Sequence, residues 1–349
     1  MAVLRHRTFY FMAQRRGVFC ILWHSIKIRR ILWRALRIST KILGQNSSID
    51  TLNTFKLANL SIRKSGAMFM ISIIRNLLMF TASAVVIGYI AVWALSEYKL
   101  SNVDVPAPWS YSIVRDDTAL DHGRHIARTR GCFGCHGQQL EGRVFTDQWP
   151  WVKRAVAPNL AAFAKQHSSE VLEASIRHGV GYSGKALWSM PSYNWVHLRD
   201  IDLASLIAFL QAAPIVEKSL PDPELGFQAR WDMLLGREQN MVEWVAKESS
   251  LKYETSANSL LKNGEYLAKT TCNECHGTDL TGMYQAPSLA IIAAYNKTQF
   301  RQLMKTGTSQ DGRTDLGLMT MVAKDRFAHF SDTEIDQLYA YLNQVIAAQ

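Results

Sequence analysis

Two short segments of the chain carry cysteines and a histidine at a spacing suited to binding a redox cofactor. They read Cys132-Phe-Gly-Cys135-His136 and Cys272-Asn-Glu-Cys275-His276. Two thiols three positions apart lie about one helical turn from each other, so each can form a thioether bond to a vinyl group of one haem. The histidine that follows then ligates the iron from the same side. The pattern predicts two covalently bound c-type haems, with His136 and His276 as iron ligands.

Zinc binding and thiol redox chemistry are the alternatives for such cysteine pairs. A four-cysteine zinc ribbon has its pairs roughly 15–20 residues apart, whereas 136 residues separate Cys135 from Cys272. A thioredoxin-like site has one pair in a βαβ context and no histidine directly after it. Chance would give roughly 0.002 haem-type motifs at this composition and length. Haem attachment is therefore the preferred interpretation, and the fifth cysteine, Cys20, has no assigned role.

The two motifs head an internal repeat. The paired positions are Gly123 and Gly264, Pro158 and Pro287, Met190 and Met319, and Phe209 and Tyr341. The offset is 140 between the motif histidines but 129 between the prolines and between the methionines. The first unit therefore holds 11 extra residues between His136 and Pro158. This insertion is rich in aromatic residues (Phe145, Trp149 and Trp151), and we expect it to fold over the haem edge or the facing unit.

With these motifs in this order, the sequence resembles the class I cytochrome c fold in tandem, over about 113–212 and 258–349. The resemblance implies an all-α protein with two such domains behind one N-terminal transmembrane helix. Between them, the connector 213–257 contains prolines and a plausible short helix at 228–236. Its aromatic residues, Trp231, Trp244 and Tyr253, are expected to be buried.

The resemblance also implies how the helices of each unit pack. The helix before each Cys motif is crossed closely by the last helix of its unit, because a glycine faces an aromatic residue there. Gly123 would face Phe209, and Gly264 would face Tyr341. Independently of family, Ser331-Asp-Thr-Glu334 reads as a capping box at the start of the last helix.

The immediate surroundings of each iron follow from the same resemblance. The carbonyl oxygens of Pro158 and Pro287 are expected to accept the imidazole N–H of the motif histidines, which fixes the ring and enriches the ligand. A sixth ligand is needed unless the haem does ligand chemistry, and Met190 offers a thioether in the first unit. Thioether sulfur favours ferrous iron and raises the reduction potential.

In the second unit, Met319 and Met321 are both available as the sixth ligand. Met319 is preferred because it shares the offset of 129 with the proline pair. Ligation by two histidines stays open as an alternative, since His197 and His329 occupy matched positions before the last helix of each unit. They are expected on the solvent side of that helix start.

A membrane anchor precedes the repeat. Residues 76–96 are 21 consecutive uncharged residues, about 31 Å of helix, which is enough to cross the hydrocarbon core. Trp93 and Tyr98 suit the headgroup level, and Arg75 precedes the span, so the N-terminus is predicted in the cytoplasm. A buried core helix and a cleaved signal peptide are the alternatives. The expected arrangement is one pass through the inner (cytoplasmic) membrane, a stalk at 97–112, and haem domains in the periplasm.

The net charge of +10 belongs to the N-terminus. Residues 1–67 carry 13 Lys and Arg and one acidic residue, whereas the remaining 282 carry 26 basic and 28 acidic residues. A nucleic-acid-binding body is thereby excluded. The basic segment 21–38 would form an amphipathic helix on anionic lipid. Alternatively, residues 1–67 do not belong to the natural protein and translation starts at Met68.

These observations predict an electron carrier rather than an enzyme. The chain resembles cytochrome subunits of membrane-bound periplasmic dehydrogenases, although those often carry three haems. A di-haem subunit of a haem–copper oxidase is an alternative, with motifs usually closer together than here. A di-haem peroxidase is another, but it needs an open distal position, whereas both units offer a methionine. The expected partners are the membrane and redox proteins with a basic docking patch.

Overall fold

The computed structural model describes residues 50–146, 152–250, 258–283 and 285–346. The protein is mostly helical, with 61% helix and 4% strand. In chain order the α-helices are α1 (Asp50–Ser101), α2 (Asp117–Thr129), α3 (Cys132–His136), α4 (Leu160–Gln166), α5 (Ser169–Glu173), α6 (Asp200–Ala212), α7 (Gly226–Leu234), α8 (Met241–Ser249), α9 (Ser259–Thr271), α10 (Asn273–His276), α11 (Lys297–Thr306), α12 (Leu318–Asp325) and α13 (Asp332–Tyr341). Short 3-10 helices lie at Ser192–Asn194, Leu289–Ala294 and Phe327–His329, and π-helical turns at Ala174–His178 and Leu342–Ile346.

The chain divides into two compact units, Met1–Ser83 and Ala84–Gln349. Helix α1 contains one candidate membrane span among the described residues, Gly66–Ser101, with a mean hydropathy of 2.1 in its most apolar window. Only 6% of that window is buried in protein, which is unlike the core helix of a soluble domain. Cys20 and the predicted amphipathic segment 21–38 lie outside the described residues, and the start at Met68 stays a prediction.

The first domain is organised by the crossing of α2 and α6. Asp116 caps α2 with a side-chain oxygen that accepts the N–H of Ala119 at 2.8 Å. At Gly123, a Cβ atom would collide with the carbonyl oxygen of Ser205 and lie 2.7 Å from Cβ of Phe209. Only glycine permits this approach. The predicted crossing of Gly123 with Phe209 is confirmed.

The second domain repeats the crossing with α9 and α13. A Cβ atom at Gly264 would collide with the carbonyl oxygen of Gln337 and lie 2.6 Å from Cβ of Tyr341. Helix α13 starts at the predicted capping box: Ser331 Oγ accepts the N–H of Glu334 at 3.2 Å, and the Glu334 carboxylate accepts the N–H of Ser331 at 2.8 Å. The two domains therefore share one way of positioning the helix that leads into the Cys motif.

Within the insertion of the first domain, β1 (Arg143–Val144) and β2 (Val156–Ala157) pair antiparallel. Phe145 follows β1 and is buried in a cluster with Met233 of α7, against which Cys135 packs. The part of the insertion that holds Trp149 and Trp151 lies outside the described residues. The described part thus packs beside the first Cys motif.

The connector between the domains contains α7 and α8. Trp244 is half-buried and its ring lies 5.5 Å from that of Tyr193. The expected burial is wrong for Trp231, which is 42% exposed, because it lies on the outer face of α7 while Ala229 and Met233 face inward. Tyr253 lies outside the described residues.

The C-terminal end of α1 is bound to this connector rather than leading directly into a stalk. Helix α1 continues to Ser101, five residues beyond the predicted span. Lys99 Nζ donates to the carbonyl oxygen of Met233 at 3.0 Å and lies 3.1 Å from the Glu243 carboxylate. The following segment runs without helix to α2, and Trp109 Nε1 within it donates to Asp200 at 3.1 Å. The segment therefore lies against the first domain.

Candidate haem sites

The first Cys-x-x-Cys-His motif forms the short helix α3 between two glycines with left-handed backbone. Gly131 has φ +84° and Gly137 has φ +85°, so both turns need the freedom of glycine. His136 is buried, and its Nδ1 lies 2.9 Å from the carbonyl oxygen of Pro158. Because a carbonyl only accepts, Nδ1 carries the proton and Nε2 is left as the atom for a metal.

The second motif repeats this geometry at α10. His276 Nδ1 lies 2.7 Å from the carbonyl oxygen of Pro287, and Gly277 ends the helix with φ +82°. Burial lowers the pKa of His136 and of His276, and the proline carbonyls oppose that shift. The rings are therefore neutral near pH 7, as a metal ligand must be. Both histidine–proline contacts that the resemblance implies are present.

A buried leucine lies in the loop that follows each motif. Leu140 and Leu280 have φ of +62° and +61°, a conformation that L-residues rarely adopt. Their carbonyl oxygens accept the N–H of Leu160 at 2.8 Å and of Leu289 at 2.9 Å. These bonds join each loop to the segment after the proline. The sequence reasoning missed this pair, although both leucines stand four residues after the motif histidine in a repeated Leu-x-Gly.

The four motif cysteines are free thiols that are buried or half-buried. Burial raises the pKa of Cys132 to about 12, and those of Cys272 and Cys275 to about 11. The burial that causes these shifts disfavours the charged thiolate and so makes the free thiols poor nucleophiles for disulfide exchange.

The methionines differ in how they meet the domain cores. Met190 is half-buried and packs against the core of the first domain, and Met319 does the same in the second. Met321 is 48% exposed. The packing therefore favours Met319 over Met321, and both distal assignments stay predictions.

Of the two histidines of the alternative ligand set, His329 is exposed, on the solvent side as expected from the sequence, whereas His197 is half-buried, contrary to that expectation. His197 Nε2 lies 3.3 Å from a carboxylate oxygen of Glu248 in α8, so the connector engages its ring. For His329, burial lowers the pKa, and the nearby Arg128 adds to the shift. A histidine bound to a buried carboxylate fits a structural contact between connector and domain better than an iron ligand.

Taken together, the donor set fits a c-type haem in each domain. Each domain brings two unpaired thiols, one neutral imidazole with Nδ1 already bonded, and one half-buried thioether. Cys132, Cys135, His136 and Met190 would hold the first haem, and Cys272, Cys275, His276 and Met319 the second.

The two motifs approach each other at the side chain of Arg326, which follows α12. Its Nη1 donates to Oε2 of Glu274, within the second motif, at 2.9 Å. A Cβ atom at Gly131, just before the first motif, would lie 2.6 Å from Nη2 of Arg326. The charge of Arg326 lowers the pKa of Cys135 and of Cys275, although burial dominates both thiols. One guanidinium group therefore contacts both haem-attachment segments, which the sequence reasoning did not foresee.

Further contacts between the domains involve Tyr266 of α9. Its ring packs against the cores of both domains, and its hydroxyl donates to Asp202 in α6. The guanidinium carbon of Arg199 lies 4.1 Å from the ring centroid. His125 Nε2 lies 2.9 Å from Glu334. With Gly123 paired to Gly264, Tyr266 aligns with His125, but nothing in the repeat indicates that either side chain contacts the other domain.

Comparison with known families bears on both halves of the repeat. The family model described as Cytochrome c matches residues 120–214 and 261–345, which together exceed half of the chain. Each matched region contains one Cys motif with its proline and its methionine. No curated protein matches the chain.

Proposed function

Because the chain belongs to the cytochrome c family, and is thereby a c-type haem electron carrier, we propose that it carries single electrons through two haems in a respiratory chain of the inner membrane. The observation that carries this proposal is the histidine–proline hydrogen bond behind a Cys-x-x-Cys-His segment, present in both domains. It prepares one imidazole nitrogen per domain for iron.

When bound, each haem supplies a ferrous/ferric couple. The proline carbonyls keep the proton on Nδ1 and hold the imidazole rings in place, so Nε2 would be free to bind the iron. Met190 and Met319, packed on the domain cores, would close the sixth position with a sulfur that favours the reduced state. A closed position suits outer-sphere electron transfer and does not suit peroxide or oxygen binding.

The membrane location rests on α1. Its uncharged run, residues 76–96, is preceded by Arg63, Lys64 and Arg75, and the positive-inside rule then favours a periplasmic position for the domains that follow. A periplasmic reporter fused after Gln349 should be active and a cytoplasmic reporter should be silent. The opposite pattern would refute the orientation.

We propose a membrane-bound dehydrogenase as the electron donor and a downstream redox protein as the acceptor. Residues 68–349 have a net charge of −2, to which haem propionates add, so a basic docking surface on the partner is expected. A peroxidase would fit this chain less well, because both domains offer a half-buried methionine for the distal position. An oxidase subunit would usually have its two motifs closer together than the 140 residues found here. Identification of the proteins that co-purify from native membranes tests the choice of donor.

The carrier role is tested on the purified full chain. Haem staining on a denaturing gel should fall to about half when Cys132 and Cys135, or Cys272 and Cys275, are replaced by alanine, and should vanish when all four are replaced. Cys20→Ser is the matched control, and its staining should not change. Rapid turnover of hydrogen peroxide by the protein would overturn the carrier assignment in favour of a peroxidase.

A further inference from the structure

Helix α7 exposes large apolar side chains along one face. Phe227 and Trp231 are 46% and 42% exposed, and their spacing of four residues aligns them on one side of the helix. Leu235, directly after the last helical residue, is 48% exposed. Ala229 and Met233 on the other side are fully buried. Neighbouring aromatic side chains exposed on one face of a connector helix indicate a candidate contact surface.

The position of this face is fixed by α1. The ring of Phe227 stacks on that of Tyr89, with centroids 5.4 Å apart and planes 8° from parallel. Trp231 continues the stack at 6.4 Å from Phe227. Tyr89 lies inside the candidate membrane span, seven residues and about 10 Å before Ser96, where the uncharged run ends. Phe227 is therefore at the level of the outer part of that span.

Charged side chains of α1 and α7 lie where the uncharged run of α1 ends, which is where contact with water is expected. Arg230, between Phe227 and Met233 on α7, donates to Ser96 Oγ at 2.9 Å and to the Glu97 carboxylate at 3.1 Å. Lys99 pairs with the connector one turn further along α1. Phe227 thus lies on the side of these charged groups that faces the candidate membrane span, and α7 runs from there past the charged groups.

We infer that Phe227 and Trp231 insert into the headgroup–acyl boundary of the bilayer that α1 crosses. Indole and phenyl rings favour this boundary, and a helix with one apolar face binds there in proportion to the area it buries. The inference rests on the membrane anchoring in the proposed function. It gives the haem domains a second membrane contact, so that they hold one orientation to the surface instead of rotating about the anchor.

The test places the photocrosslinking residue benzoylphenylalanine singly at positions 231, 87 and 318 of the full chain in native membranes. Ile87 lies on α1 and Leu318 on α12 of the second domain, and both side chains are exposed. After irradiation, mass spectrometry identifies what each position has captured. Phospholipid adducts are expected at 231 and 87, at comparable yield, and none above background at 318.

Each other outcome has one meaning. Lipid at 87 but none at 231 overturns the inference and leaves the anchor intact. A protein adduct at 231 assigns the face to a partner subunit or a second copy, and also overturns it. Absence of lipid at 87 refutes the membrane anchoring, and with it the inference. Haem staining of all three variants, expected to match the parent protein, excludes misfolding as the cause.

Discussion

The close helix crossing in each domain makes Gly123→Ala a sharp test of the fold. The new methyl group would lie 2.7 Å from Cβ of Phe209 and collide with the backbone of Ser205. Because backbone atoms cannot rotate away, α2 and α6 must separate by roughly 1 Å, at an overpacking cost of about 3 kcal/mol. Alanine returns up to about 1 kcal/mol of helix propensity. The net loss is therefore about 2 kcal/mol, or roughly 8–16 °C in the Tm of a domain of this size.

The assay is thermal unfolding of the haem-loaded protein, followed by far-ultraviolet circular dichroism and by the methionine–iron absorption band. Gly264→Ala should behave alike, since its methyl group would lie 2.6 Å from Cβ of Tyr341. Gly134→Ala is the control, because its methyl group would meet its nearest neighbour, Arg326, at an ordinary 3.7 Å. An unchanged or raised Tm in Gly123→Ala would refute the close crossing.

Three further results are expected. Met190→Ala and Met319→Ala should each remove half of the methionine–iron charge-transfer band, and an unchanged band in either variant would remove that residue as a ligand. Arg326→Gln should lower the reduction potentials of both haems by tens of mV, because one positive charge near both is lost. Glu274→Gln removes a negative charge and should raise both potentials. If Arg326→Gln shifted the potential of one haem alone, Arg326 would not lie between the two motifs. Burial acts to raise the pKa of Glu334, but its hydrogen bonds to His125 and Ser331 outweigh burial and hold that pKa below its ordinary value of 4.5. Its contribution to stability is therefore complete above about pH 4.5 and is lost as pH falls through the lowered pKa. Glu334→Gln should therefore flatten the dependence of Tm on pH below about pH 5, and an unaltered slope would argue against its pairing with histidine.

Most of what surrounds each predicted iron could be predicted from the sequence, because it is encoded twice and at short range. The shared offset of 129 pairs Pro158 with Pro287 from the sequence alone, and in the structure each carbonyl oxygen lies beside a motif histidine. The left-handed leucines, Leu140 and Leu280, were as regular but went unnoticed, since leucine carries no expectation of positive φ.

Contacts between parts of the chain that the repeat does not relate could not be predicted from the sequence. Arg326 reaches across to Gly131 from a position nearly two hundred residues away, and no periodicity connects them. The burial predicted for Trp231 was wrong for a different reason. Its hydrophobicity was interpreted as burial in protein, although a side chain beside a membrane span has a second apolar solvent available.

The place where Arg326 meets Gly131 also bears on whether the two domains are interchangeable. At the offset of 140 between the motifs, Gly131 aligns with Thr271, and at the offset of 132 that pairs His197 with His329, Arg326 aligns with Asn194. A copy of the second domain in the first position would present a threonine side chain where the guanidinium group needs empty space, and would lack the left-handed turn. The two domains are thus specific to their positions in the chain, because the second supplies Arg326 and the first supplies the glycine that leaves room for it. A chimaera that exchanges their order, or that doubles either one, would have to carry compensating changes at both positions.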